Sequence, residues 1–347
     1  MTPEEHWLLS LSDSEGLPPS LPKNRLKPKD VIALCELAHA HGVLPVVLGH
    51  VERLLKEEPG RLLINPDAAS DVSPALNLSR ECSAKRAAIS MFLTAETQRL
   101  VKELATAGIP AVVLKGADFA TRLYARPALR FFGDVDLLVR SEHRKDADDV
   151  LIKLGYKIVP THLKHAAEAY AEVQYQHPAM PGATVEIHDN LVNSPTVRRG
   201  VSVRLEDLPL ERDRNGLWRP SPAGLLVIAA VHGAASHGFD KLQHLCDITQ
   251  AARERAGAID EASLRECVRK TGAGFCLATG LNLAMRAFGD RAITRWVEQI
   301  RPTGPVWLGR WLITPETVVT ARGPRRRHGS WRRQTLRHLL KTRRGAG

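Results

Sequence analysis

The stretch Ala111–Arg140, AVVLKGADFATRLYARPALRFFGDVDLLVR, constrains the fold more than any other part of the chain. The apolar run from Ala111 to Leu114 reads as a buried strand, and Lys115-Gly116 turns the chain into a short helical segment, Ala117 to Tyr124. After a loop built on Arg126-Pro127, Asp134 and Asp136 lead into a second apolar run, Leu137-Leu138-Val139. Residues two apart on a strand share a face, so both carboxylates project to one side at the edge of an otherwise buried strand. Burying two like charges is costly unless a cation neutralises them, which a hard divalent ion does through oxygen ligands. The pair fits Mg²⁺ held jointly by carboxylates and by the phosphates of a nucleotide. A lone D-x-D is more often solvated surface than metal site. Here the context adds a third carboxylate, Glu186 in the strand Thr184–His188, where alternation puts Glu186 and His188 on one face.

A chain of 347 residues can bury a sizeable core and form two substructures. Its cysteines, at 35, 82, 246, 267 and 276, are scattered without a C-x-x-C pair. That argues against a disulfide framework or zinc cluster and for a reducing compartment. The first residues, MTPEEHWLLSLSDSEG, carry acidic groups and too short an apolar run for a signal peptide. No apolar stretch is long enough to span a bilayer, so a cytoplasmic location is expected. The net charge of +11 suggests an anionic partner, yet ten Lys/Arg and no Asp or Glu fall within Ala321–Gly347. The body is therefore nearly neutral and only the tail is basic.

Four regions follow from the patterning: an N-terminal helical region (1–107), a sheet-bearing core (108–205), a C-terminal helical domain (206–305) and a basic tail (306–347). Residues 1–27, rich in Pro and Ser, read as a loosely ordered lead-in. Helical patterns follow from Asp30 and from Val43, and a long amphipathic helix runs from about Leu76 to Ala107 with Ile89, Phe92, Leu93, Leu100 and Leu104 as its apolar side. His162, His165 and His177 lack the spacing of a metal-binding helix and read as loop residues. Ser221-Pro222 opens a helical stretch carrying His232, His237 and Asp247. A spacing of five puts the two histidines on different faces of an α-helix, which argues against shared metal ligation. In the tail, Trp331, Leu336, Leu339 and Leu340 among arginines admit a basic amphipathic helix for nucleic acid, an anionic surface or a partner. A solvated extension is slightly favoured.

Taken together, L-K-G-A at Leu114–Ala117, L-R-x-x-G-D-V-D-L-L-V at Leu129–Val139, L-G-Y at Leu154–Tyr156 and V-E-I-H at Val185–His188 resemble the uncharacterised nucleotidyltransferase family of the polymerase-β superfamily. The resemblance runs from about Asn77 to Arg253. It implies an α+β fold, with a small mixed β-sheet, flanking helices and a C-terminal helical bundle. It also implies transfer of an NMP from an NTP, such as ATP, to an acceptor with release of pyrophosphate. Asp134, Asp136 and Glu186 would be the catalytic groups and the ligands of Mg²⁺, or of Mn²⁺ in its place. On the substrate side, Lys115 and the Gly116 backbone would meet phosphate oxygens, and His188 would orient Glu186 or the acceptor. Arg130 would offset charge on the triphosphate or brace a loop from the surface. Asp118 would face the site or favour a helix N-terminus. The acceptor, whether small molecule, RNA or protein, stays open. The competing reading is a non-catalytic or toxin-like module of the same fold that acts on or binds RNA or a protein partner. Two positions depart from the resembled pattern: Lys115-Gly116 replaces the superfamily's Gly-Ser turn, and Asp189 follows His188 where the family usually has Trp.

Overall fold

The computed structural model describes residues 1–18, 20–160, 170–299, 306–320 and 330–341. At its centre is a five-stranded sheet of β1 (Ala111–Val113), β2 (Asp134–Val139), β3 (Lys157–Ile158), β4 (Glu172–Gln176) and β5 (Thr184–His188). The strands lie in the order β1-β2-β5-β4-β3. Only β2 and β5 run parallel; the other neighbours are antiparallel. This is the small mixed sheet of an α+β fold.

Alternation along the strands gives the sheet two unlike faces. Val135, Leu137 and Val139 of β2, Val185 and Ile187 of β5 and Tyr175 of β4 are buried in one cluster with Leu93, Leu100, Val101 and Leu104. Those last four come from α5 (Ser73–Thr106), and Ala147 and Leu151 of α7 (Arg144–Lys153) close the same layer. Each fully buried branched side chain contributes roughly 1.5–3 kcal/mol relative to exposure. The opposite face carries Asp134, Asp136, Glu186 and His188. The stripe of α5 that meets the sheet includes Ser90, Leu93, Thr97, Leu100 and Leu104. Ile89 and Phe92, expected on its apolar side, each sit one position off that stripe, about 100° around the helix, and are exposed.

Helices from both ends of the chain pack on the polar side of the sheet. The first set is α1 (Pro3–Ser10), α2 (Pro28–Ala40), α3 (Leu44–Glu57) and the single turn α4 (Pro59–Leu62). The second is α8 (Pro222–Val231), α9 (Leu242–Ala252), α10 (Glu261–Thr271), α11 (Gly274–Phe288) and α12 (Arg291–Gln299). One core unites them: Trp7, Leu34, Val47, Leu225, Leu245 and Leu281 belong to a single buried cluster, which also takes in Leu138 of β2. The lead-in expected before residue 27 is thus partly helical and deeply packed. Thr2 and Glu5 form a capping box, Glu5 N donating to Thr2 Oγ1 and Thr2 N to Glu5 Oε2. Trp7, Leu8 and Leu11 are fully buried.

The basic tail differs from expectation in the same way. Trp331–Lys341 is a helix with Leu336 and Leu340 buried, not a solvated extension. Its Arg333 guanidinium donates to the carbonyls of Gly238 at 3.0 Å and Thr317 at 2.9 Å, and Arg337 donates to Ser236 O at 3.0 Å. The Gly238 and Ser236 carbonyls follow α8 and its π turn, where cations are favoured, and Thr317 lies in the helix Pro315–Val319. A small hairpin of β6 (Leu210–Arg212) and β7 (Trp218–Pro220) joins the sheet region to the bundle. Among the described residues, no helix is long and apolar enough to cross a membrane.

Candidate active site

The site begins at Gly116, whose φ of 54° and ψ of −112° suit glycine alone among common residues. A Cβ here would lie 3.2 Å from Phe132 Cδ2 and 3.4 Å from the Asp134 carbonyl oxygen. This close turn, before α6 (Ala117–Arg122), carries Lys115 across the sheet face. Lys115 Nζ lies 3.0 Å from Asp134 Oδ2 and 2.9 Å from Asp136 Oδ2. The parallel register pairs Asp136 with Glu186 and Leu138 with His188. From β5, His188 Nε2 reaches Asp136 Oδ1 at 3.2 Å and Glu186 Oε2 at 3.4 Å. Asp136, Glu186 and His188 each bring a ligand atom within 4.8 Å of the others. Lys115, Gly116, Asp134, Asp136, Glu186 and His188 therefore come together, although their sequence positions span β1 to β5.

Charge balance dominates this cluster. Burial alone would lower the Lys115 pKa, but Asp136, Asp134 and Glu186 override it and hold the ammonium above its ordinary value. Burial likewise opposes protonation of His188, yet its hydrogen bonds to Asp136 and Glu186 win and raise its pKa to about 9. Burial would raise Glu186, and the bond from His188 instead keeps it low. The cluster thus sets the Glu186 carboxylate against two protein cations, Lys115 and His188. An oxygen-donor set of this kind suits a hard divalent cation.

The His188 shift predicts a pH dependence of stability. Because the folded pKa of about 9 lies above the ordinary 6.5, the stabilisation is fully present below the ordinary value and is lost as pH rises through the folded one. We expect the unfolding free energy of the metal-free protein to decline across that window by an amount on the order of a few kcal/mol. Denaturant titrations at several pH values should show that component in the wild type and not in His188→Gln. Parallel profiles for the two proteins would contradict the assignment.

Arg130 lies deeper than expected. It is neither on the surface nor turned to the carboxylates, but buried in a bidentate pair with Asp247 of α9, at 2.8 and 2.9 Å. Tyr124 Oη donates to the same carboxylate at 2.8 Å, and Arg130 Nη1 donates to Gly116 O at 3.4 Å. Arg130 thus ties the Gly116 turn to the helical bundle. Asp118 is turned to Arg122 at 3.2 Å, and Asp189 pairs with Arg144 at 2.8 Å. His177 stands apart against the Tyr156 ring, with centroids 5.2 Å apart. His162 and His165 lie outside the described residues.

Two groups on the polar face were not anticipated. Glu172 Oε2 is 4.0 Å from His188 Nδ1, and Gln174 Nε2 donates to Glu186 Oε1 at 2.9 Å. Both stand on β4, whose pattern Glu172-Val173-Gln174-Tyr175-Gln176 is a two-residue alternation legible in the sequence. His232 and His237 also meet, contrary to the α-helical expectation. The segment His232–Ser236 is a π turn, and its longer pitch brings residues five apart to the same side. His244 of α9, which no motif singles out, joins them.

The family model described as an uncharacterised nucleotidyltransferase matches residues 27–289 of this chain. The match takes in the whole sheet, both carboxylate strands and helices α8 to α11. No curated protein matches the chain.

Proposed function

The chain belongs to this uncharacterised nucleotidyltransferase family, and we propose that it transfers a nucleoside monophosphate from an NTP to an acceptor on the carboxylate face of its sheet. The observation that carries the reading is the β2–β5 register, which aligns Asp136 with Glu186 under Lys115 and His188. In this reading Asp134, Asp136 and Glu186 would hold Mg²⁺, or Mn²⁺ in its place. The fit rests on the donor set: carboxylate oxygens in a partly buried cluster that already requires cationic compensation. When bound, the ion offsets triphosphate charge and orients the reacting phosphate.

The chain's own groups then divide the work. Lys115 neutralises Asp134 and Asp136 before nucleotide arrives; released from them, its ammonium is available to a phosphate oxygen. Gly116, without a side chain, lets the backbone approach the same phosphate. The acceptor oxygen bonds to the α-phosphorus, the bond from that phosphorus to the bridging oxygen breaks, and pyrophosphate leaves with the electron pair. Glu186 takes the acceptor proton, and His188 and Gln174 fix its orientation. Arg130 acts at one remove, holding the Gly116 turn through its carbonyl.

Calorimetric titration with each NTP, with and without Mg²⁺, tests this reading. We expect nucleotide binding that depends on Mg²⁺ and is lost in the Asp134→Ala/Asp136→Ala double variant. A folded wild-type protein that binds no NTP would overturn it.

A further inference from the structure

A second cluster of titratable groups lies where α8 meets α9. The π turn sets His232 and His237 side by side, and the chain then reverses through Gly238 and Phe239 at φ values of 58° and 55°. The left-handed conformation of Phe239 costs on the order of 1 kcal/mol or more. The reversal brings α9 back so that His244 faces the same point. Its approach depends on Gly233, where a Cβ would stand 2.9 Å from the Phe239 ring and 3.3 Å from His244 Cβ. The three imidazoles pack with centroids 4.6 Å (His232–His237), 4.6 Å (His237–His244) and 5.3 Å (His232–His244) apart. One nitrogen from each lies within 4.8 Å of the others.

Packing alone does not account for this arrangement. His244 Nδ1 is buried without a hydrogen-bond partner. Buried polar atoms are ordinarily paired, and an apolar ring would fill the same space without that desolvation cost. The Asp240 carboxylate stands 3.8 Å from His237 Nδ1 and 3.7 Å from His244 Nδ1, close enough for its charge to favour a cation beside the three rings. Burial, aided by neighbouring cations, holds His232 and His244 well below the ordinary histidine value, and burial brings His237 to about 4. The lone pairs are therefore free at neutral pH, as metal ligation requires. Lys115, Arg130, Lys241 and Arg337 are the cationic charges acting on the cluster. They disfavour a weakly held hard ion, so affinity has to come from imidazole coordination, which suits borderline transition ions over Mg²⁺.

We propose that His232, His237 and His244 bind a divalent first-row transition ion of the Zn²⁺ type, at a centre separate from the carboxylate face. Tetrahedral Zn–N bonds place ligand nitrogens about 3.4 Å apart, so the rings draw together on binding. His237, with 36% of its side chain exposed, is the member with room to move. Three protein ligands leave one coordination position for water or an anionic oxygen.

The test uses the full chain, stripped of metal and held in excess Mg²⁺ so that the carboxylate face is competed. Calorimetry with Zn²⁺ should show one equivalent bound, and Co²⁺ should give the visible bands of a tetrahedral ion. His237→Ala and His244→Gln should each weaken Zn²⁺ at least tenfold, with circular dichroism confirming the fold, whereas Asp136→Asn should leave it unchanged. Should one histidine variant fail to fold, the other and the wild-type stoichiometry decide. Absence of stoichiometric Zn²⁺ binding by the folded wild type, wild-type affinity in the folded histidine variants, or loss of binding in Asp136→Asn would overturn the proposal.

Discussion

Asp136→Asn should lower nucleotidyl transfer about a thousandfold or more, the scale of several kcal/mol of lost charge stabilisation. Asp136 is the group most deeply engaged in the site: its side chain is fully buried, 2.9 Å from Lys115 Nζ and 3.2 Å from His188 Nε2. The amide keeps the shape and removes the charge. Lys115 retains Asp134 and His188 retains Glu186, so the variant should stay folded and its defect should lie in catalysis. Activity within a few-fold of wild type would place the chemistry elsewhere.

The second large effect concerns the buried pair of Arg130 and Asp247. Removing one partner of a buried, doubly hydrogen-bonded ion pair typically costs about 3–5 kcal/mol, because the other charge is left without compensation. In Arg130→Ala the Asp247 carboxylate would keep, among the described residues, only the Tyr124 hydroxyl as a side-chain partner. We expect chemical denaturation to register a loss of that size, and the apolar double replacement Arg130→Met/Asp247→Leu to recover most of it. A single-variant loss below about 1 kcal/mol would mean that the pair is far better hydrated than its burial suggests. Transfer activity should fall too, since Arg130 also holds the Gly116 carbonyl.

The parts of this site that sequence makes legible are those set by local periodicity. Asp134 and Asp136 share a face because strands repeat every two residues, and Glu186 and His188 follow the same rule on β5. The glycine turn at 116 is equally local. What the sequence hides is set by distance. Arg130 meets Asp247 across 117 positions, and nothing near either residue marks the other as its partner. The histidine cluster depends on a π turn, so reasoning from α-helical pitch assigns His232 and His237 to different faces. Glu172 and Gln174 were within reach, since β4 alternates, but a short strand with polar residues on one face gives a weak signal. The ends of the chain misled for a related reason. Composition marks 1–27 as loose and the tail as solvated, while a capping box at Thr2 and a few well-placed apolar residues, Trp7, Leu8, Leu336 and Leu340, are enough to anchor both in the shared core.

The most direct measurement follows which phosphate moves. The protein would be incubated with Mg²⁺, pools of RNA, protein and small-molecule acceptors, and NTP labelled at either the α- or the γ-phosphate. The account predicts that the α-label passes to an acceptor, that the γ-label appears only in pyrophosphate, and that Asp134→Ala/Asp136→Ala abolishes both. Transfer of the γ-label to an acceptor, or α-label transfer that survives loss of both aspartates, would contradict it.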